Sequence, residues 1–141
     1  MTGWKGGPVP GQIMADLENG LYFGATRLKP RPPLGFDFVT ALVKGKGGAR
    51  FTLKSGNAQA GGLETIYDGP RPDGPGGNGH PTKRNSYDPM KLQGAILLGT
   101  GGDNSHSGVG TWFEGLMLSG YSTDAADAAV QANIVAAGYR K

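Results

Sequence analysis

The residues best suited to chemistry in this 141-residue sequence are carboxylates, and two of them stand close together, Asp16 and Glu18 in the run 13–23, IMADLENGLYF. Read as a strand, this run alternates its side chains, so Met14, Asp16 and Glu18 share one face and Ile13, Ala15 and Leu17 the other. Charged residues on the wet side of a sheet would give the same pattern, so spacing alone leaves both readings open. A carboxylate becomes catalytic in glycoside hydrolysis when a second one faces it across the sugar, one attacking or activating water and the other donating a proton. Asp103, in the glycine-rich run 99–110 (GTGGDNSHSGVG), is the candidate partner for Glu18 if a sandwich topology brings strand and loop together.

Other chemistries fit less well. A glycine-rich turn after the apolar run AILL (95–98) suggests a phosphate cradle, but it lacks the GK[ST] signature and is followed by a strand pattern, not a helix. A calcium loop through Asp103, Ser105 and Ser107 lacks the bidentate Glu such loops end on. Asp103 and Asn104 could also simply close a turn through side-chain to backbone bonds. His80 and His106 are the only histidines and there is no cysteine, so no zinc ligand set can be assembled. Ser105 and Ser107 sit in no nucleophile elbow. The sequence thus implies neither a metal nor a cofactor.

These residues must be positioned by a scaffold that the composition describes as rich in turns. Gly 27 and Pro 10 with 37% hydrophobic and 18% charged residues point to an all-β fold, and the length suits one domain spanning 1–141. Strands are expected at 13–23, 36–43 (FDFVTALV), 50–54 (RFTLK), 63–67 (LETIY), 95–98 and 110–118 (GTWFEGLML). In RFTLK, Phe51 and Leu53 should point inward and Arg50, Thr52 and Lys54 outward, and Trp112 is expected in the core. The segments 30–35 and 68–83 are loops dense in Gly and Pro. Only the end reads as helix: Ser122 or Thr123 caps it, Asp124 and Asp127 suit its first turns, Val130, Ile134 and Ala137 fall on one face, and Gly138 stops it. The formal charge is +3, but the basic residues are scattered without a basic stripe, which argues against a nucleic-acid partner. No apolar run is long enough to span a membrane and no signal peptide is recognisable at the start.

The runs MADLENGLYFG, FDFVTALVKG, LETIYDGPRP and DPMKLQGAILLGTGGDNSHSGVGTWFEGLMLSGYSTDAADAAVQANIVAAGY together resemble the α-L-arabinofuranosidase B catalytic domain, glycoside hydrolase family fifty-four. The resemblance implies an antiparallel β-sandwich of the concanavalin or jelly-roll type with a short C-terminal helix. It also implies an enzyme that releases terminal α-L-arabinofuranose from arabinan and arabinoxylan with retention of configuration. By motif, Glu18 in DLEN matches the nucleophile and Asp103 in GGDN the general acid/base. Asp16 and Asn19 match sugar-contacting positions, Leu21 lies where the pocket is lined, Gly102 precedes the acid, and Trp4 resembles the aromatic that packs on the arabinose.

The resemblance covers the C-terminal half of the family's domain. The half carrying a pair of adjacent cysteines is not matched, nor is an arabinan-binding β-trefoil. The expected partner is an arabinose-containing polysaccharide or oligosaccharide, and secretion is implied by the family. Half a sandwich exposes apolar faces and strand edges, so self-association or pairing with the other half is expected. The alternatives to a hydrolase are a non-catalytic carbohydrate-binding sandwich and an inactive fragment of the enzyme.

Overall fold

A computed structural model of the chain describes residues 13, 15–16, 21–22, 34–46, 50–70 and 110–141. Two short strands, β1 (Ala15–Asp16) and β2 (Leu21–Tyr22), pair antiparallel. A three-stranded antiparallel sheet follows, with β3 (Val39–Lys46), β4 (Arg50–Asn57) and β5 (Ala60–Pro70) in the order β3-β4-β5. The helix α1 (Asp124–Ala136) closes the chain. The fold is therefore all-β with a short C-terminal helix, as composition and turn chemistry predict. Of the loop expected over 68–83, residues 68–70 instead form the end of β5, paired with the start of β4, and 71–83 lie outside the described residues, as does the expected strand at 95–98.

The pattern of each strand explains its place. β4 is central and buried along nearly its whole length. Phe51 and Leu53 on one face form the core with Ile66, and Ile13 and Tyr67 pack against them. The β4–β5 hairpin turns through Ala58 and Gln59, with the Gln59 amide donating to Asn57 Oδ1 at 2.9 Å and the Ala58 amide to the Phe38 carbonyl at 3.0 Å. Register shifts after Leu53 and after Ser55 interrupt the alternation of β5, which is how the neighbours Ile66 and Tyr67 both reach the core.

Three expectations need correction. Thr52 and Lys54 do not face water: they are 1% and 7% exposed, because α1 lies over that side of the sheet. The segment 110–118 forms no strand, and Trp112 is 52% exposed, so it does not belong to the core. The run 13–23 is not one continuous strand, since residues 15–16 pair antiparallel with 21–22 and the chain direction reverses between them.

The helix begins and ends where its signals stand. Thr123 accepts from the Ala126 amide at 3.1 Å as N-cap, and Gly138 adopts a positive φ of 71° just beyond the last turn. Its inward face differs from expectation: Asp127 and Gln131, one turn apart, are buried at 2% and 1% exposure, Val130 and Ile134 flank them half-buried, and Ala137 is exposed. Gly56 permits the approach, because a Cβ there would meet Gln131 Nε2 at 3.1 Å and the Gly62 carbonyl at 3.0 Å.

Candidate active site

Of the residues singled out for sugar chemistry, the structure positions the backbone of two. Asp16 on β1 and Leu21 on β2 are directly paired across the antiparallel ladder. Glu18, Asn19, Trp4, Gly102 and Asp103 lie outside the described residues. The link from this pair to the scaffold runs through Ile13, two residues before β1, whose side chain packs on the Phe51–Leu53–Ile66 core. That contact ties β1, which carries Asp16, to the apolar face of the sheet, opposite the helix.

The densest polar constellation among the described residues is on the other face, and little in the sequence points to it. Lys44 on β3 and Lys54 on β4 both donate to Asp127 Oδ2, at 2.6 and 2.7 Å, and both donate to Asp124 Oδ1, at 3.2 and 2.6 Å. Lys44 also donates to the Ser122 carbonyl at 2.9 Å, and the Ser122 hydroxyl donates to Asp127 Oδ1 at 2.5 Å. The three N–H donors of Lys44 are thus all engaged, and its ammonium lies 4.5 Å from the centre of the Tyr121 ring. Burial pulls the Asp127 carboxyl up, but hydrogen bonds from Lys44, Lys54 and Ser122 outweigh it and bring it down to about 2. Burial likewise opposes the charge of Lys54, and the hydrogen bonds it donates to Asp124 and Asp127 reverse that and raise its pKa.

A second ion pair continues this face toward the end of β5. Arg50 grips Asp68 through both Nε, at 2.7 Å, and Nη2, and Thr52 donates to Asp68 Oδ1 at 2.9 Å. The Arg50 and Thr52 hydrogen bonds hold the Asp68 carboxyl at about 2. Thr52 also shares a hydrogen bond with the Tyr121 hydroxyl. Every charge in these clusters has a partner, so they suit the fastening of α1 and 121–123 to the sheet better than acid–base work. The available sequence signal was the phase of Lys44 and Lys54, which falls on the same sheet face as Thr52. Among the described residues no group of three or more His, Cys, Asp or Glu could hold a metal ion. No helix among them is long and apolar enough to cross a membrane.

Comparison with known proteins agrees with this architecture. The family described as α-L-arabinofuranosidase B, catalytic, matches residues 2–140. An arabinofuranosidase/β-xylosidase of Trichoderma koningii is 46% identical over 98% of this chain and 26% of its own length. The α-L-arabinofuranosidase B of Aspergillus oryzae is 45% identical over the same shares. Among solved structures, a mutant GH54 α-L-arabinofuranosidase soaked with 4-nitrophenyl α-L-arabinofuranoside superposes with a TM-score of 0.72 at 40% identity, covering 93% of this chain and 25% of that one. A GH54 enzyme soaked with a cyclic sulfate inhibitor gives the same TM-score at 41% identity. The chain spans about a quarter of the length of the relatives it matches. With a family match running nearly end to end, this chain belongs to the α-L-arabinofuranosidase B catalytic family.

Proposed function

We propose that the chain carries the catalytic carboxylates of a retaining α-L-arabinofuranosidase, with Glu18 as nucleophile and Asp103 as general acid/base. The observation that supports this most is the family match over 2–140, which takes in both DLEN and GGDN. In the first step the Glu18 carboxylate bonds to the anomeric carbon while the Asp103 proton passes to the departing glycosidic oxygen. In the second, Asp103 takes a proton from water, whose oxygen displaces Glu18 and frees arabinose. Retention requires the two carboxyl groups to lie about 5–5.5 Å apart. Asp16, Asn19, Leu21, Gly102 and Trp4 would line the furanose pocket, and terminal arabinofuranose on arabinan or arabinoxylan would be the substrate, met outside the cell after secretion.

The test is release of 4-nitrophenol from its α-L-arabinofuranoside by the 141-residue chain. Glu18→Gln and Asp103→Asn should each abolish it, and full activity in either variant would overturn the assignment. A second reading, a domain that holds the sugar without cleaving it, is favoured by one fact: the chain spans only a quarter of its relatives. Binding of arabino-oligosaccharide with no turnover would select that reading.

A further inference from the structure

We infer that Ile13 is a positioning residue for the DLEN motif: its side chain fixes the β1–β2 pair, and with it the Asp16 backbone, to the Phe51–Leu53–Ile66 core. What is positioned rests on the hydrolase reading; how it is positioned rests on the packing. β1 and β2 form a two-stranded sheet of their own, with the rungs Ala15–Tyr22 and Asp16–Leu21, apart from the β3-β4-β5 sheet. A two-stranded pair is marginal in water and needs packing against other elements to persist. Among the described residues Ile13 supplies that packing, two positions before β1 and half-buried against a cluster that is exposed by no more than 8%.

The seat for Ile13 is built from two strands. Phe51 and Leu53 are alternate residues of β4, Ile66 comes from β5, and Tyr67 lies tilted against Phe51 with ring centres 6.1 Å apart. Gly69, the cross-strand partner of Phe51, leaves room for this, because a Cβ there would lie 2.7 Å from the Tyr67 hydroxyl oxygen. Interiors packed in this way transmit strain and leave a seated side chain little freedom. Residues 17–20 join the two members of the Asp16–Leu21 rung, so by chain connectivity Glu18 goes where that rung goes. A misplacement of about 1 Å at reacting groups costs on the order of a hundredfold in rate. Ile13 carries no chemistry of its own and acts through β1.

The experiment measures backbone amide order parameters by NMR in the 141-residue chain and in Ile13→Ala. Over residues 15–22 they should fall from about 0.85 to below about 0.6 in the variant, while those of β4 stay near 0.85. A β1–β2 pair that keeps its order in Ile13→Ala would overturn the inference, as would one already disordered in the unsubstituted chain. If Ile13→Ala does not fold, Ile13→Val carries the comparison, with a smaller fall confined to 15–22; equal loosening of β4 would make Ile13 a general core residue and overturn the inference. The second readout is release of 4-nitrophenol from its α-L-arabinofuranoside, at a temperature where every variant is fully folded. There kcat should fall about a hundredfold in Ile13→Ala, which lost stability alone does not produce, and Ile13→Val should restore most of it. Unchanged kcat in folded Ile13→Ala would overturn the inference. A chain without turnover before any substitution would count against the hydrolase reading alone, and the order parameters would still decide whether Ile13 holds the motif.

Discussion

On the helix side of β4, Thr52 and Lys54 are buried against groups that answer each polar atom, whereas on the opposite side Phe51 and Leu53 are buried while Val39 and Val43 beside them stay exposed. The charges of the polar face are answered within the chain: two ammonium groups meet two carboxylates and a carbonyl, and the Ser122 hydroxyl donates to one of those carboxylates, while Thr40 Oγ1 and Gln131 Oε1 are buried there without a hydrogen-bond partner. Among the described residues the apolar face is covered around Phe51, Leu53 and Ile66, with Ile13 as part of the cover. Charges buried in a protein must be paired locally because leaving them unpaired is so costly, but apolar area tolerates exposure until a partner covers it. The difference therefore identifies which side of this quarter-length chain stands alone.

The comparison is broken most severely by removing one partner from the polar face. Asp127→Ala leaves Lys44 and Lys54 with the exposed Asp124 as their one remaining counter-ion among the described residues, and should lower stability by about 3–5 kcal/mol in chemical denaturation. Phe51→Ala should cost about as much, roughly 3–5 kcal/mol, through the cavity it leaves in a core of few residues. Acid separates the two faces without mutation. The folded-state value of Asp127 lies below its ordinary 3.8, so its contribution is present above that value and is lost as pH falls toward about 2. The melting temperature should drop through that window, and Asp127→Asn should flatten the drop. A profile equally steep in that variant would show that other carboxylates govern acid unfolding.

Thr123→Ala, which removes the hydrogen bond to the Ala126 amide, should cost about 1 kcal/mol. At the small end, Val43→Thr on the open face should change the stability of the isolated chain by less than about 0.5 kcal/mol. A larger loss would mean that this side is covered after all.

The strands β3, β4 and β5 and the helix were legible because each is specified locally: alternation in RFTLK, a cap at Thr123, a glycine after the last turn. What α1 buries was not. Val130 and Ile134 suggested an apolar stripe, yet Asp127 and Gln131 occupy its centre, because their partners Lys44, Lys54 and the Asn57 carbonyl come from strands 73 to 83 residues earlier. Tyr121 similarly joins the sheet through Thr52, far away in sequence. Trp112 was misplaced for a different reason: its segment has the composition of an inner strand, while the cover such a strand needs is not supplied by the described residues. Of the candidate site, Asp16 and Leu21 share a ladder rung. The roles proposed for Glu18 and Asp103 rest on family motifs, since spacing alone does not distinguish a catalytic carboxylate from a wet one.

The lysine pair has a consequence for how the chain finds its native pairing. Lys44 and Lys54 present their ammonium groups to one oxygen only when β3 and β4 are in the observed alignment, with Lys44 opposite Thr52 and Leu42 opposite Lys54. A slip of one position in either strand turns that strand's lysine away from the helix. Asp127 would then enter an apolar contact with one counter-ion missing. The helix consequently acts as a proofreader of the hairpin, seating only on strands that have already aligned correctly.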